Sequence, residues 1–246
     1  MTSAGAGTPL FTLADVTLDL DVVRANVAAA RTAIDEAAAR AGRPAGSVEL
    51  LAATKYVSAE EMPLLAEAGI ELVGENRSDA LAAKQALHLE RFTWDFIGAL
   101  QSRKARDVVD RVRLVHAVES LSAAEQLARR SEREVACLIE VGIAGEAQKA
   151  GVAPDELDAF LDACVPLERL RVEGLMTMPP LVDDAQASRG HFAALRELAS
   201  ALEPRWAGRF TFERLSMGTS QDFAVAVEEG ATIVRLGSVL YGRPAG

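Results

Sequence analysis

The order of apolar and polar positions divides most of the chain into two alternating kinds of segment. Short, nearly continuous apolar runs are typical of strands buried on both faces, whereas longer segments with one apolar face are typical of helices. The short runs predict strands at residues 48–54, 71–74, 94–98, 114–118, 135–142, 171–176, 210–215 and 232–236. The longer segments predict helices between them, at residues 59–68, 78–87, 102–109, 123–131, 154–164, 186–202 and 221–229.

A further amphipathic helix is predicted before the first strand, over residues 20–41, where Gly42 and Pro44 end it. Eight strands that alternate with helices are the signature of a (β/α)8 TIM barrel of the α/β class. An open doubly wound sheet is the alternative, but it favours a Gly-rich turn after the first strand, and residues 54–58 contain no glycine. We therefore expect disordered residues 1–10, followed by a single barrel domain over residues 11–246 that carries the extra N-terminal helix.

Composition and charge narrow the class of partner. Half of the 246 residues are hydrophobic and a quarter are charged, which suffices for a large core. Asp and Glu number 36 against 26 Lys and Arg, so the net charge is −10. A nucleic-acid-binding protein would show a clustered basic face, and this balance argues against one. A small anion remains possible, because a pocket can be locally positive on an acidic protein.

Cysteines, histidines and the N-terminal residues add no motif. Cys137 and Cys164 have neither metal-site spacing nor a disulfide framework, so we expect both to be buried structural residues. His88, His116 and His191 do not end predicted strands, which argues against a metal triad or a His-based relay. Residues 1–9 lack a basic segment, and no apolar run approaches the ~20 residues of a membrane span. We expect no metal, no membrane association and residence in the cytoplasm.

Lys55 ends the first predicted strand. Barrel active sites are built at the C-terminal ends of the strands. There, apolar walls can lower the pKa of a lysine, and its neutral amine can attack an aldehyde. The alternative is a lysine that ends the strand and extends to water. Glu75 and Glu119 also follow predicted strands, although orienting their neighbours or contacting solvent is their simpler role. Lys149, after the fifth strand, could cover the pocket.

The loops after the seventh and eighth predicted strands are rich in hydroxyl groups and backbone N–H donors. Barrels often bind a phosphate group with these two loops. Ser220 is a candidate N-cap of the next helix, whose first amides would face an anion. Each feature has a local alternative: an ordinary turn, a tight turn at a glycine, or a cap by Ser238. The loop residues are Ser216, Met217, Gly218, Thr219 and Ser220 after the seventh strand, and Gly237 and Ser238 after the eighth.

Arg235, near the end of the eighth predicted strand, completes the set, although by itself it could pair with a surface carboxylate. A lysine amine, a phosphate site and an arginine at one barrel mouth indicate pyridoxal 5′-phosphate (PLP), held as a Schiff base on Lys55. A guanidinium keeps the pyridine nitrogen unprotonated and makes the ring a weaker electron sink. Such a neighbour suits racemase-like chemistry, or no chemistry, better than transamination.

The chain resembles the pyridoxal phosphate homeostasis protein family, which is related in fold to the N-terminal barrel of alanine racemase. The matching stretches are residues 51–55, 74–76, 96–104, 174–176, 215–220 and 234–242, in the family's order. The resemblance implies Lys55 as the imine lysine and Arg235 at the ring nitrogen, with Asn76 and Met176 lining the ring. It places around the phosphate Ser216, Gly218, Thr219, Ser220, Gly237 and Ser238. Tyr56 and Ala99 are small departures from the family pattern.

Two functions compete. The first is a PLP-binding homeostasis protein without robust catalysis, which buffers or carries the cofactor, with apo forms of PLP enzymes as possible recipients. The second is an amino-acid racemase, which needs bases on opposite faces of the Cα atom. The chain ends soon after the eighth strand, which leaves no room for a further domain, and Tyr56 and Tyr241 are not obvious opposite-face bases. An aldolase that uses a lysine imine gives Arg235 no role. We therefore expect a monomeric PLP carrier.

Overall fold

The chain folds into a closed barrel of eight parallel strands, which confirms the (β/α)8 prediction. The computed structural model describes residues 17–145, 150–180 and 184–242. The strands follow one another in chain order, and the last pairs with the first. The expected disorder of residues 1–10 lies outside the described residues, so the domain boundaries stay a prediction. The strands are β1 Glu49–Ala53, β2 Leu72–Glu75, β3 Thr93–Phe96, β4 Leu114–Val118, β5 Val135–Glu140, β6 Leu170–Met176, β7 Arg214–Thr219 and β8 Ile233–Leu236.

Helices cover the outside of the barrel, and the predicted extra helix precedes β1. This helix, α1, spans Leu20–Arg40, and the Asp19 carboxylate caps it by accepting hydrogen bonds from two N–H groups of its first turn. Between β3 and β4 lies a 3-10 helix, Ser102–Asp107, where an α-helix was predicted; a six-residue segment without a side-chain cap is typical of 3-10 connectors. The other α-helices of the described residues are α2 Met62–Glu67, α3 Ser78–His88, α4 Leu121–Arg130, α5 Leu157–Cys164, α6 Arg189–Trp206, α7 Phe223–Glu228 and α8 Ser238–Tyr241.

The seventh strand lies four residues later in the chain than the sequence pattern predicts. The pattern placed a strand at residues 210–215, because Phe210 and Phe212 alternate with polar residues, but β7 begins at Arg214. Both phenylalanines are buried, and the Phe212 N–H donates to the carboxylate of Glu203 at 2.7 Å rather than to a strand ladder. Residues 216–219, predicted as a loop, therefore belong to the strand. The pairing of β7 with β8 shifts register between Ser216 and Thr219, so these side chains do not alternate strictly between the two faces of the strand.

The barrel interior combines an apolar middle with polar ends. Side chains that point inward form a cluster separate from the core between strands and helices. Its buried members are Leu51, Leu72, Leu114, Ala117, Ala136, Leu138, Met176 and Ile233. At the N-terminal end of the barrel, Arg113 donates to Glu49 Oε1 and to Asp95 Oδ2, each at 2.6 Å. Arg214 joins this end through Glu49 at 3.4 Å and Glu173 at 3.0 Å.

Glu140 places a carboxyl group at the opposite, C-terminal end of the interior. It follows the inward-facing Leu138 by two positions and pairs in register with Met176, so its side chain also points inward. Burial raises the pKa of Glu140, and the nearby Glu119 raises it further, while Arg235 acts in the opposite direction. The charged form of Glu140 therefore costs free energy in the folded protein.

Replacing Glu140 with Gln should make the stability less dependent on pH above the ordinary glutamate pKa of 4.5. A raised pKa means that the wild-type protein loses stability as the pH rises through that pKa, since the buried carboxyl group must ionise, whereas an amide does not. In urea unfolding, the free energy of unfolding of Glu140→Gln should rise relative to that of the wild type as the pH increases from about 5 to about 9. The exposed Glu125→Gln is the control. A Glu140→Gln difference that stays constant with pH contradicts the proposed burial cost.

Candidate functional site

Lys55 lies immediately beyond β1, at the end of the barrel where the prediction placed it. Its side chain is exposed, and its Nζ atom lies 4.6 Å from the centroid of the Tyr56 ring. We expected apolar side chains around Lys55, but its side chain lies over the Tyr56 ring and is otherwise exposed to solvent. The exposed amine is accessible to a ligand that enters from the open end of the barrel.

The backbone that precedes Lys55 is held by a buried polar network. The Lys84 ammonium group donates to the Thr54 carbonyl oxygen at 2.7 Å and forms an ion pair with Glu75. The Thr54 hydroxyl group donates to Glu75 Oε1 at 2.8 Å, and the Thr54 N–H donates to the Gly74 carbonyl oxygen at 3.0 Å. Glu75 therefore orients its neighbours, as the simpler expectation held. The network fixes the direction in which the chain leaves β1.

Arg235 is buried inside the barrel at the end of β8. Its guanidinium group donates to the Ser216 hydroxyl oxygen through Nη1 and to the Thr177 carbonyl oxygen at 3.0 Å through Nη2. Burial lowers the pKa of Arg235 to about 10, against the attraction of Glu140 and Asp222. The side chain therefore still carries its charge near neutral pH and remains a donor only.

The loops after β7 and β8 contact each other, as a shared phosphate site requires. The Ser220 hydroxyl oxygen accepts hydrogen bonds from the N–H groups of Gly237, at 3.0 Å, and Val239, at 3.4 Å. The expectation that Ser220 caps the next helix is wrong, because α7 starts at Phe223 and Asp222 occupies the cap position. The Ser220 side chain instead joins the two loops.

The loop after β8 also adjoins the end of β1. A Cβ atom built on Gly237 would lie 3.7 Å from the Ala53 carbonyl oxygen and 3.8 Å from the Ala53 Cβ atom. Ser238, the next residue, is exposed at the start of α8. Closure of the barrel therefore brings Lys55, two residues beyond Ala53, beside the loops that carry the hydroxyl and N–H donors.

Three of the predicted phosphate-loop residues lie elsewhere, because β7 extends through them. Ser216 is fully buried in the barrel interior. Met217 points outward into the core between strands and helices. Gly218 has a φ of +90°, and a Cβ atom there would lie 2.5 Å from the Ala226 Cβ atom, so this glycine serves close packing against α7. Met217 and a Cβ atom at Gly218 both face the helices, at the point where the pairing of β7 with β8 shifts register between Ser216 and Thr219.

Three other predicted site residues stay near the mouth. Thr219 ends β7, and its N–H and hydroxyl groups donate to Asp222 Oδ1 at 2.7 Å and 3.2 Å. Asn76 is exposed immediately after β2. Met176 is buried among the inward-facing residues at the end of β6. Asn76 and Met176 both lie at the C-terminal ends of their strands, and their role in lining a ring stays a prediction.

His116 has a place in the barrel interior that the sequence did not predict. The histidine lies inside the barrel, where Nδ1 is 2.8 Å from Ser216 Oγ and Nε2 is 3.0 Å from Asp95 Oδ2. His116 thus belongs to a buried hydrogen-bond chain that the sequence did not predict, and the expectation that no histidine acts as a relay stays a prediction. A detectable signal was present, because His116 shares the inward parity of Leu114 on β4.

The remaining candidates have structural surroundings. Glu119 accepts a hydrogen bond from the Gly151 N–H at 3.4 Å, whereas Lys149 lies outside the described residues. Cys137 and Cys164 are free and buried, as expected, and burial raises the pKa of Cys164 to about 11. Within residues 17–145, 150–180 and 184–242, no group of three His, Cys, Asp or Glu side chains is placed to hold a metal ion. None of the helices in these ranges is both long and apolar enough to cross a membrane.

Comparison with known proteins identifies similar chains of nearly the same length. A relative from Aquifex aeolicus, named pyridoxal phosphate homeostasis protein, is 37% identical over 213 residues, which cover 85% of this chain and 92% of the relative. PipY from Synechococcus elongatus, in a structure with PLP bound, matches with a TM-score of 0.77 and 32% identity, covering 89% of this chain and 100% of PipY.

The wider fold family includes enzymes. Alanine racemase from Corynebacterium glutamicum matches with a TM-score of 0.69 and 16% identity, covering 93% of this chain and 62% of the racemase. This likeness shows the fold alone. Residues 18–244 match the family model described as alanine racemase, N-terminal domain. The chain therefore belongs to the alanine racemase N-terminal domain family and, within it, to the pyridoxal phosphate homeostasis proteins.

Proposed function

We propose that this chain binds PLP at the C-terminal end of its barrel and serves PLP (vitamin B6) homeostasis inside the cell, without robust catalysis. The observation that carries the proposal is the meeting, at one barrel mouth, of an accessible lysine amine, a buried arginine and two donor-rich loops. The name of the Aquifex aeolicus relative and the PLP bound to PipY support the same ligand. PLP supplies an aldehyde that bonds to amines and a ring that withdraws electrons.

Lys55 supplies the amine that holds the ligand as a Schiff base. In its neutral form, the Lys55 Nζ atom would hold the aldehyde group of PLP through a covalent carbon–nitrogen bond. The network of Thr54, Glu75 and Lys84 keeps the backbone before Lys55 in place. Asn76 and Met176 would line the ring.

Arg235 faces the ring nitrogen in this proposal. Its two hydrogen bonds, to Ser216 and to the Thr177 carbonyl oxygen, occupy two of the five N–H donors of a guanidinium. A further N–H can donate to an unprotonated pyridine nitrogen, and the positive charge disfavours protonation of that nitrogen. The ring is then a weak electron sink, which suits storage of the cofactor better than its use in catalysis.

The phosphate group lies against the loops after β7 and β8. Ser220, Gly237 and Ser238 supply hydroxyl and N–H donors there, and the Ser220 oxygen that now accepts from Gly237 would yield that donor to the phosphate. Thr219 is a weaker candidate, because its donors are bound to the Asp222 carboxylate, whose negative charge opposes a phosphate. We therefore centre the phosphate on the β8 side of the mouth.

Racemisation, the alternative activity, requires a second base across the ligand from Lys55. Tyr56 contacts Lys55 itself, and Tyr241 is buried in the core outside the barrel, where burial raises its pKa. Neither tyrosine of the described residues is thus suited to that position. We propose apo forms of PLP enzymes as recipients of the cofactor. A cytoplasmic, monomeric carrier remains the expectation from the sequence.

Incubation with PLP should give an imine absorption band that borohydride fixes on Lys55. Peptide mass spectrometry of the reduced protein locates the pyridoxyl group. The label should be lost in Lys55→Arg and kept in Lys104→Arg, a matched change at an exposed lysine of the 3-10 helix. A label that resides on Lys84 or Lys104 instead would overturn the assignment.

Pyridoxal, which lacks the phosphate, should bind much more weakly than PLP. Each charge-assisted hydrogen bond to the phosphate contributes roughly 1.5–3 kcal/mol, so the loss of two or more corresponds to at least about a hundredfold in Kd. Ser238→Ala should weaken PLP binding and leave pyridoxal binding unchanged, whereas Ser122→Ala should alter neither. Equal affinities for PLP and pyridoxal would exclude the phosphate site.

The PLP-loaded protein should racemise amino acids slowly or not at all. Removal of a Cα proton requires a base on the correct face and an electron sink, and Arg235 weakens the sink. Proton exchange and chiral purity of L- and D-alanine can be followed in deuterated water. Slow exchange without net racemisation agrees with the carrier function. Racemisation at about 1 s⁻¹ or faster, an ordinary enzymatic rate, would establish the racemase instead.

A further inference from the structure

A chain of hydrogen bonds crosses the barrel interior from its N-terminal end to Arg235. It starts where Arg113 donates to the Asp95 carboxylate, at 2.9 Å to Oδ1 and 2.6 Å to Oδ2. It continues from Asp95 to His116 Nε2, at 3.0 Å, and from His116 Nδ1 to Ser216 Oγ, at 2.8 Å. Ser216 Oγ then accepts from Arg235. Asp95, His116 and Ser216 are fully buried.

The chemistry of the groups gives this chain a single direction. Arg235 can only donate, so the Ser216 oxygen accepts from it and the Ser216 hydrogen is free to point to His116. Nδ1 of His116 then accepts, and Nε2 carries the hydrogen that is donated to Asp95. The neutral histidine with its hydrogen on Nε2 therefore satisfies every link, and a protonated His116 would leave the Ser216 hydrogen without an acceptor in the chain.

The charges around His116 agree with this tautomer. Burial lowers the pKa of His116 and outweighs the attraction of Asp95, while Arg235 and Arg113 lower it further. Burial acts to raise the pKa of Asp95, but the hydrogen bonds from His116 and Arg113 prevail, so the pKa lies below its usual value. A neutral imidazole thus lies between a carboxylate and a hydroxyl group.

A series of buried polar side chains costs free energy in the barrel interior, which apolar side chains normally fill. Interiors of these barrels are packed mostly by branched apolar residues, as Leu51, Leu114 and Leu138 show here. Buried polar groups are costly unless each is hydrogen-bonded, and apolar replacements of a whole buried network are often equally stable. The fold alone does not explain His116 and Ser216. The series of hydrogen bonds leads to the guanidinium group of Arg235 at the barrel mouth.

We propose that His116, acting through Ser216, is a positioning residue that holds the Arg235 guanidinium in the orientation required by a ligand's ring nitrogen. The identity of that ligand rests on the proposed function, whereas the restraint on Arg235 is a property of the protein without ligand. His116 fixes the Ser216 hydroxyl group, whose oxygen in turn fixes Nη1. The Thr177 carbonyl oxygen holds Nη2, so the plane of the guanidinium is set by two contacts.

The first test measures Arg235 in the protein without PLP. Nitrogen NMR reports the rate at which its guanidinium rotates about the Nε–Cζ bond. His116→Phe and Ser216→Ala should both speed this rotation roughly fivefold or more, the factor that corresponds to one net hydrogen bond of about 1 kcal/mol. His116→Gln, whose amide can accept from Ser216 and donate to Asp95, should restore slow rotation. Leu138→Ala controls for loosening of the interior.

The second test measures PLP binding in a double-mutant cycle. His116→Phe and Ser216→Ala should each weaken PLP binding on the order of tenfold and shift the absorption band of the bound cofactor. The double variant should be no worse than Ser216→Ala, because both changes remove the same link. Independent structural damage would make the two effects multiply, and Leu138→Ala should leave the band unshifted.

The outcomes separate this proposal from the proposed function. Unchanged Arg235 rotation in folded His116→Phe and Ser216→Ala proteins overturns the positioning role, whatever PLP does. Multiplying effects in the cycle likewise overturn it. Faster rotation in both variants of a protein that fails to bind PLP supports the restraint on Arg235 and rejects the ligand.

Discussion

The pairing of β8 with β1 is the constraint on which the site depends. It closes the sheet, with Leu51 opposite Arg235 and Ala52 opposite Leu236, and it brings together residues from the two ends of the chain. Because all eight strands are parallel, their C-terminal ends meet at one end of the barrel. Closure therefore brings the end of β1, which Lys55 follows, next to β8, which carries Arg235. An open sheet with the same elements would separate them.

The two cations at this mouth differ in how they are held, and that difference suits their roles. Lys55 is exposed and lies over the neighbouring Tyr56 ring, while the buried pair of Lys84 and Glu75 holds the backbone before it. In the proposed function, an exposed amine on a fixed backbone is accessible to the aldehyde of the ligand. Arg235 is buried and held on two sides, as an electrostatic partner of a ring must be. The proposed function thus gives covalent attachment to Lys55 and recognition of the ring to Arg235.

The polar interior explains how an arginine can reside inside a barrel. A buried guanidinium without partners would be strongly unfavourable, and Ser216 and the Thr177 carbonyl group supply the partners that it needs. The chain through His116 and Asp95 to Arg113 extends this stabilisation to the other end of the barrel, where Glu49 shares Arg113. Arg235 is thereby linked through hydrogen bonds to Arg113 at the N-terminal end of the barrel. In the proposed function, the charge of Arg235 keeps the pyridine nitrogen unprotonated and makes the ring a weaker electron sink, which suits storage of the cofactor.

The sequence by itself determined the fold class, the extra N-terminal helix and the place of Lys55 and Arg235. These follow from local pattern, since the period of apolar positions and the residue at a strand tip are readable from a single segment. The course of β7 was decided only by tertiary structure. The residues Phe210 and Phe212 alternate like a strand, but their burial elsewhere shifts β7 and turns Ser216 into the interior. The hydrogen-bond chain from Arg113 to Arg235 joins β3 and β4 to β7 and β8, two pairs of strands that are distant from each other in sequence. Strand register decides which inward-facing side chains come into contact inside the barrel. Packing of the whole sheet sets that register, so no local sequence pattern encodes it.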